Sequence, residues 1–268
     1  MSHDDRALLD GALQRARLSA YARGEFVGQE SFMRASEIMA LAEQAGIAPG
    51  VSVLDVCCGV AGPGRFITRQ LGCTYLGVDA ISSAIDVARE RAADLPCRFE
   101  VGRVPPLPPG PFDVVLLLET MLAFPDKDRL LRDVSAALPA GGRFAFTLEE
   151  GEPLTDAERS RMPDADTVWL APLADMVSGL ERAGLRVRWQ RDCSQSHRAV
   201  VDALVDAFTA DAADIAARVG PRTVDSLVAG HRLWSAWLRA GRVRKFAFVA
   251  EKTPWPSTAG TAGQLVRR

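Results

Sequence analysis

Predicted strands and helices alternate between Val51 and Glu150, and this alternation constrains the fold more than any other feature of the sequence. Short apolar runs typical of buried strands take turns there with segments of helical period, and glycine- or proline-rich turns separate them. The run Phe112–Glu119 (FDVVLLLE) is apolar almost throughout, as in strands that are buried on both faces of a parallel sheet. The succession predicts a parallel sheet with right-handed crossovers, in which ligands bind at the carboxyl ends of the strands.

Two further predicted strands follow this stretch, at 185–192 and 243–252, and a mostly helical segment of about fifty residues separates them. Apolar periodicity also predicts a helix within residues 1–24 and a second one over 31–45. The predicted fold class is therefore α/β: a Rossmann-like, seven-stranded, mostly parallel sheet with helices on both faces. N-terminal helices and a helical insertion before the last strand are expected to form a cap.

Composition narrows the classes of function. The chain has 268 residues and a formal net charge of −2, which argues against a general nucleic-acid binder, since such proteins are usually basic. The one basic cluster, Gly241–Lys245 (GRVRK), is interpreted as the solvated start of a strand. No apolar run reaches the length of a membrane span, and the acidic N-terminus lacks the features of a signal peptide. We therefore expect a cytoplasmic protein with no nucleic-acid or membrane partner.

The five cysteines predict no metal site. They show no paired C-x-x-C spacing and no interleaving with histidine, and we expect them to be reduced, small apolar side chains. The absence of an acidic cluster beside the fourth predicted strand points the same way. The cysteines are Cys57, Cys58, Cys73, Cys97 and Cys193.

The stretch Val53–Gly64 (VLDVCCGVAGPG) is the most distinctive motif of the sequence. It is poor core material and poor helix, but it suits a sharp turn from strand to helix that a ligand approaches closely. Asp55 ends the preceding strand, and Asp79 ends the next one. An acid at the second strand's tip can accept both hydroxyls of a ribose, so the pair predicts a nucleoside site. The alternative for Asp79 is a charge that stabilises a helix N-terminus.

The spacing of these glycines is not the G-x-G-x-x-G fingerprint of dinucleotide-binding proteins, which makes an NAD-dependent reductase a distant third hypothesis. Together with the downstream run Gly110–Thr147 (GPFDVVLLLETMLAFPDKDRLLRDVSAALPAGGRFAFT), the motif resembles the class I S-adenosylmethionine-dependent methyltransferases. The similarity is greatest to the small-molecule branch, with its ubiquinone/menaquinone- and sarcosine-type enzymes. It covers about Val51 to Glu150 and, more loosely, the closing strand.

The resemblance implies S-adenosyl-L-methionine as cofactor and assigns roles to particular residues. Asp55 and the amides of the next turn would line the methionine moiety, and Asp79 would hold the ribose. The segment Phe26–Phe32 resembles a lid over the cofactor. The chain departs from the family pattern where Cys57 and Ala61 replace glycines, and where Gly102-Arg103-Val104 replaces an acid near the adenine. The implied cofactor contacts are Phe26, Gln29, Asp55, Cys57, Cys58, Gly59, Asp79, Ala80, Val104, Glu119 and Thr120.

The same resemblance divides the chain into five parts. They are an N-terminal helical lid (1–32), an S-adenosylmethionine-binding core (33–195), a helical insertion that caps the substrate (196–241), the final core strand (242–253) and a flexible tail (254–268).

The acceptor site is expected outside the core, and its catalytic candidates are His231, Glu119 and Tyr21. Leu227, His231, Trp234 and Leu238 share one helical face that could close over an apolar acceptor, although packing alone also explains that face. His197, Glu149 and Glu150 are weaker candidates.

We expect methyl transfer to a small-molecule acceptor, a bacterial specialised metabolite, with catalysis mainly by positioning. The alternatives are a cyclase-type enzyme that binds the cofactor without transferring methyl, and a protein methyltransferase. The identity of the acceptor atom and the oligomeric state, with a homodimer as one option, stay open.

Overall fold

A computed structural model describes residues 11–253, and its centre is one seven-stranded sheet in the order β3-β2-β1-β4-β5-β7-β6. Only β7 runs antiparallel to its neighbours, β5 and β6. The predicted α/β fold is thereby confirmed. The strands are β1 (Ser52–Val56), β2 (Thr74–Asp79), β3 (Cys97–Val101), β4 (Val114–Leu117), β5 (Arg143–Glu150), β6 (Leu185–Asp192) and β7 (Arg244–Lys252).

Ten α-helices lie in the described part of the chain. They are α1 (Ala12–Ala20), α2 (Ala35–Gln44), α3 (Gly62–Leu71), α4 (Ser82–Arg91), α5 (Lys127–Ala137), α6 (Asp156–Arg159), α7 (Leu173–Arg182), α8 (Ser194–Ala210), α9 (Ala212–Val219) and α10 (Pro221–Ala240). The first ten residues of the predicted N-terminal helix, and the predicted flexible tail, lie outside the described residues.

Two predicted boundaries near the carboxyl edge of the sheet differ from the observed ones. The second helix begins at Ala35 instead of Ser31, because the Gln29 amide holds the preceding segment in a compact loop. Gln29 Nε2 donates to the carbonyls of Glu25 (2.8 Å) and Met33 (2.9 Å), and its Oε1 accepts from the Val27 amide at 2.6 Å. Strand β4 ends at Leu117 instead of Glu119, since the chain turns there into a short 3-10 helix at Met121–Ala123.

Apolar layers cover both faces of the sheet and hold the strand ends in register. On one face, α2, α3 and α4 contribute buried Ile38, Ile67 and Ile85. On the other face, α5 and α7 contribute Leu131 and Leu180. Burial of an aliphatic side chain of this size contributes about 1.5–3 kcal/mol, so these layers make the sheet a rigid platform for the loops at its carboxyl edge.

A third apolar cluster joins α1 to the helical insertion. Leu13 and Ala16 of α1 pack in one cluster with Phe208 of α8, Ile215 of α9 and Val224 of α10. The insertion begins two residues before the predicted boundary, at Ser194.

Candidate functional site

Two adjoining cavities lie at the carboxyl edge of the sheet. The first, of about 420 Å³, lies over the ends of β1 and β2. The second, of about 430 Å³, lies between α10, the 162–168 loop, the end of β5 and the start of β7. The shared wall contains Glu119, so a molecule in one cavity lies next to a molecule in the other. The residues that line both are Arg17, Gln29, Glu30, Ser31, Glu119 and Leu227.

The three glycines of the turn after β1 have three different functions. Gly59 has a φ of +54°, and a Cβ built on it would meet no atom within 4 Å, so its backbone is open toward the first cavity. A Cβ on Gly62 would lie 2.3 Å from the Gly28 carbonyl oxygen, and one on Gly64 would lie 2.2 Å from the Tyr75 ring. Only the first glycine therefore leaves room for a ligand, whereas the other two let the 25–34 loop and Tyr75 come close.

Cys57 and Ala61 also adopt left-handed backbone conformations, with φ values of 61° and 55°. Glycine is the residue that reaches this region without a steric penalty, which explains why the family pattern has glycine at these two positions. The chain thus keeps the shape of the turn and accepts some strain there. The Cys57 and Cys58 thiols stay protonated, because burial raises their pKa values, that of Cys57 to about 12.

Two carboxylates close the inner end of the first cavity. Asp79 accepts hydrogen bonds from the amides of Gly59 and Ile81, both at 2.9 Å, so it ties the glycine turn to the start of α4. Its position is compatible with both interpretations made from the sequence. Asp55 is buried and accepts a hydrogen bond from the Tyr75 hydroxyl at 2.5 Å. Burial raises the pKa of Asp55 to about 7.

Most of the predicted cofactor residues line the first cavity: Gln29, Asp55, Cys57, Cys58, Gly59, Asp79, Glu119 and Thr120. Three do not. Phe26 packs against Tyr21, with ring centroids 5.4 Å apart, Val104 packs against the core, and Ala80 is exposed beside the cavity. The Gln29 side chain borders the cavity, but its amide is fully used within the 25–34 loop.

Apolar lining residues of the first cavity were missed in the sequence. Ile81 is 43% exposed and lines the first cavity, so a ligand bound there can cover it. Apart from Leu13 of α1, each missed residue lies within five positions of a motif residue that was identified, so the signal was proximity to the turn after each strand. The missed residues are Leu13, Val60, Pro63, Ile81, Ala84 and Leu118.

The floor of the second cavity is built around Lys245, and the interpretation of its basic cluster as solvated is wrong for this residue. Lys245 is 2% exposed, and its Nζ donates to Glu119 at 2.8 Å and to Glu149 at 2.5 Å. The ammonium also lies 5.3 Å from the Phe32 ring and 6.0 Å from the Trp234 ring. Burial disfavours the charge, but the two carboxylates outweigh it and raise the pKa of Lys245.

Glu119 connects this floor to the loop that covers the first cavity. It has a φ of 57°, and its amide donates to Thr147 Oγ1 at 2.5 Å. Its carboxylate accepts from Lys245 and also from the Phe32 amide at 3.3 Å. Although burial opposes ionisation, Lys245 lowers the pKa of Glu119, which therefore stays a carboxylate.

A buried ionic cluster continues behind Glu119. His197 lies between Glu37 Oε2, 3.6 Å from its Nε2, and Glu119 Oε1, 3.7 Å from its Nδ1. Burial lowers the pKa of His197. Contrary to the expectation from the sequence, carboxylates do gather beside the fourth strand, namely Glu37, Glu119 and Glu149.

Possible ligand atoms of Glu37, Cys193 and His197 lie within 4.8 Å of one another, so we tested whether these residues fit a metal ion. Both Glu37 oxygens already accept hydrogen bonds, from the Arg34 amide and guanidinium and from the Ser196 hydroxyl. Burial raises the pKa of the Cys193 thiol to about 12, whereas a metal ligand must be a thiolate. Glu37 and Cys193 are therefore poor metal ligands in this arrangement.

His231 and Tyr21 line the second cavity but differ in what they can do chemically. His231 Nδ1 lies 2.8 Å from the Leu227 carbonyl oxygen. Because a carbonyl only accepts, Nδ1 carries the hydrogen and Nε2 keeps a lone pair. Burial lowers the pKa of His231, so the ring is neutral at pH 7. Tyr21 donates to the Ser31 carbonyl, and burial raises its pKa, so the phenol is a poor base.

The predicted face of α10 only partly lines the second cavity. Leu227, His231 and Trp234 border it, whereas Leu238 is buried in packing. Of the weaker candidates, Glu149 lies at the cavity floor, and Glu150 forms an ion pair with Arg244 at 2.8 Å. His197 does not border either cavity. No helix within residues 11–253 is long and apolar enough to cross a membrane.

Comparisons with known proteins agree with this geometry. Residues 53–142 match a family model described as a methyltransferase domain. The chain is 28% identical over 179 residues to the methyltransferase GfsG from Streptomyces halstedii, covering 63% of this chain and 64% of the relative. It is 33% identical over 109 residues to phosphoethanolamine N-methyltransferase 1 from Arabidopsis thaliana, covering 39% of this chain and 22% of that protein. The chain thus spans less than two thirds of the length of either relative.

Among solved structures, phosphoethanolamine N-methyltransferase 2 of Haemonchus contortus, solved in complex with S-adenosyl-L-methionine, superposes with a TM-score of 0.76 at 18% identity, covering 95% of this chain and 60% of that one. The [4+2]-cyclase SpnF superposes with a TM-score of 0.71 at 19% identity, covering 94% of this chain and 95% of that one.

A Rossmann-like sheet whose first two strands end in buried carboxylates around a left-handed, glycine-bearing turn defines a nucleoside-binding α/β protein. Within that class, the order of the strands and the matched domain both point to methyltransferases. Residues 53–142 form a methyltransferase domain, and the chain resembles the class I S-adenosylmethionine-dependent methyltransferases in sequence and in strand order.

Proposed function

We propose that this protein transfers a methyl group from S-adenosyl-L-methionine to a small-molecule acceptor, a bacterial specialised metabolite. The observation that carries the proposal is the pair of adjoining cavities, one beside the nucleoside-type turn and the other under the helical cap, with Glu119 in their common wall. Two ligands that must react with each other need such a shared boundary. The similarity to GfsG of Streptomyces halstedii supports the bacterial part of the proposal, and the similarity to phosphoethanolamine N-methyltransferase 1 supports the small-molecule part.

The first cavity fits the cofactor on its own geometry. Gly59 leaves open space where a side chain would stand, and the Asp79 carboxylate lies at the tip of β2 beside it. The half-exposed Ile81 would gain cover from an adenine bound in this cavity. Asp55 and the turn amides suit the polar amino-acid end. When bound there, the cofactor supplies a methyl group activated on a sulfonium, which an acceptor lone pair takes while the electrons of the broken bond stay on sulfur.

The protein's own contribution is positioning and proton removal. Leu122, Met162, Val168 and Trp234 form an apolar wall that excludes water from the second cavity. Positioning of this kind can lower a barrier by roughly 7–11 kcal/mol when alignment is tight. Where the acceptor atom bears a proton, neutral His231 accepts it at Nε2, a role that contributes about 10²–10⁴-fold.

The first experiment is calorimetry with S-adenosylhomocysteine. We expect binding to the wild type and at least roughly tenfold weaker binding to Asp79→Asn, because a hydrogen bond to a charged group contributes about 1.5–3 kcal/mol. Asp94→Asn is the matched control, since Asp94 is exposed and pairs with Arg69. If the wild type shows no heat with this ligand, the proposal is wrong.

A second experiment separates methyl transfer from the cyclase-type alternative, for which the fold likeness to SpnF is the only support. Extracts and compound panels are incubated with methyl-labelled cofactor. Label in a small-molecule product supports methyl transfer, and label in protein supports the protein-methyltransferase alternative. A cofactor-dependent product without label favours the cyclase.

A further inference from the structure

The charged groups around the second cavity are unbalanced. Its lining within residues 11–253 includes two cations and four carboxylates. Arg17 pairs with Glu30 at 2.5 Å, and Lys245 is shared between Glu119 and Glu149. One carboxylate charge at the floor is therefore left over, and Asp164 adds another at the exposed side. The six residues are Arg17, Glu30, Glu119, Glu149, Asp164 and Lys245.

A specific atom carries part of this excess. Glu149 is 1% exposed; its Oε1 accepts from Lys245, while its Oε2 is buried without a hydrogen-bond partner in the described structure. The Lys127 ammonium donates to the carbonyls of Phe124 and Trp169, and the described structure has no hydrogen bond from it to Glu149. A buried carboxylate oxygen without a partner is costly, so a ligand that donates a hydrogen bond to it gains free energy.

The rest of the lining favours the same kind of ligand. The faces of Phe32 and Trp234 already attract the Lys245 ammonium, and aromatic faces disfavour anions. Neutral His231 offers only a lone pair at Nε2. Arg17, the one cation on the opposite side, is occupied by Glu30. No described side chain of the cavity offers an unpaired cation that could neutralise a bound phosphate or carboxylate.

We propose that the acceptor presents a proton-donating, uncharged or cationic group, a hydroxyl or an amine, on an apolar body, and that acceptors with a phosphate or carboxylate are excluded. Glu149 is the specificity-determining residue, and Lys245 positions it. The inference rests on the proposed function, because it concerns the acceptor cavity of that function. It sets this cavity apart from a site that must accommodate phosphoethanolamine, the compound named for two of the relatives.

The test uses three probes with one skeleton and three head groups: 4-phenylbutan-1-ol, 4-phenylbutylamine and 4-phenylbutanoate. Their affinities are measured by calorimetry on the wild-type protein saturated with S-adenosylhomocysteine at pH 7.5. We expect the alcohol or the amine to bind at least about tenfold more tightly than the carboxylate, because juxtaposed like charges cost several kcal/mol. Tighter binding of the amine than of the alcohol indicates a cavity that selects a cationic head group, and the reverse indicates one that selects a neutral donor.

Glu149→Gln and Glu150→Gln form a matched pair, since the two residues are neighbours on β5 whose side chains lie on opposite faces. Glu149→Gln should reduce the discrimination against the carboxylate at least about threefold, and Glu150→Gln should leave it unchanged. The inference is overturned if the carboxylate binds as tightly as the alcohol and the amine. It is also overturned if neither the alcohol nor the amine binds. The wild-type comparison decides even if Glu149→Gln does not fold. Loss of S-adenosylhomocysteine binding by the wild type would instead overturn the proposed function.

Discussion

The two cavities are built by opposite means. The first is shaped by backbone: left-handed residues at Cys57, Gly59 and Ala61, small side chains, and amides that point at a carboxylate. The second is shaped by side chains that come from distant segments, with Glu119, Glu149 and Lys245 meeting at its floor. A backbone-built site can serve many relatives with one ligand, whereas a side-chain-built site can be changed one residue at a time.

The difference also predicts where the protein is vulnerable. The whole sheet supports the backbone geometry of the first cavity, so a single substitution there should reduce the stability only by the local strain that it introduces. The buried ions of the second cavity depend on one another, and removing one member leaves the others uncompensated. This contrast can be tested by comparing single substitutions in the two regions.

The largest effect is expected for Lys245→Met. It leaves Glu119 and Glu149 buried side by side without their shared cation, and breaking a buried ion pair in this way costs about 3–5 kcal/mol. The measurement is the free energy of unfolding from urea denaturation at pH 7.5. Arg244→Met is the matched control on the same strand, because its pair with Glu150 is at the surface and contributes about 0–1 kcal/mol. Equal stabilities of the two variants would contradict the interdependence of the floor.

The sequence indicated most residues of the first region and several of the second, but it missed Lys245 at the floor of the second cavity, and a comparison of Lys245 with Asp55 shows why. Asp55 follows a buried strand and precedes a glycine turn, so its neighbours in the chain reveal its place. Lys245 lies among basic residues, and its partners are 126 and 96 positions away. A local sequence pattern does not predict contacts between residues that become neighbours only through the order of the strands in the sheet.

The same distinction explains smaller errors. The 25–34 loop was predicted to be partly helical because the Gln29 side chain, which replaces backbone hydrogen bonds there, has no periodic signature. The left-handed conformations of Cys57 and Ala61 were foreseeable only because the family pattern has glycine there. Ile81 was missed because an exposed isoleucine differs from a buried one only in the folded chain.

The second prediction concerns Asp55 and pH. Its pKa is raised from 3.8 to about 7 by burial, so between these values the folded state holds a proton that the unfolded state has lost. The free energy of unfolding should therefore fall as the pH rises through this window, by at most about 1.4 kcal/mol per pH unit. Other groups titrate there too, including His197 and His231, whose lowered pKa values act in the opposite direction.

The contribution of Asp55 is isolated by subtracting the pH profile of Asp55→Asn from that of the wild type. We expect the difference to decrease from about pH 4 and to level off above pH 7. The Tyr75→Phe variant sharpens the assignment. The Tyr75 hydroxyl stabilises the carboxylate, so its loss should move the end of the window to higher pH. A flat difference profile would mean that Asp55 is ionised throughout and that the site is more polar than its burial indicates.

The smallest effect is expected at the turn itself, where Gly62→Ala and Gly59→Ala separate packing from conformation. A Cβ at position 62 would lie 2.3 Å from the Gly28 carbonyl oxygen and must push the 25–34 loop outward, at a cost of about 1–3 kcal/mol. In Gly59→Ala the added Cβ meets no atom within 4 Å, so the only cost is that of a left-handed backbone at a non-glycine residue, about 1–2 kcal/mol. Urea denaturation measures the loss of stability in both variants.

Calorimetry with S-adenosylhomocysteine shows whether each substitution also weakens ligand binding. Gly62→Ala should weaken binding through a displaced loop, and Gly62→Ser should weaken it at least as much, since serine adds the same Cβ and a hydroxyl. If Gly62→Ala binds the ligand like the wild type while Gly59→Ala does not, the loop is not part of the cofactor site, and the first cavity is formed by the turn alone.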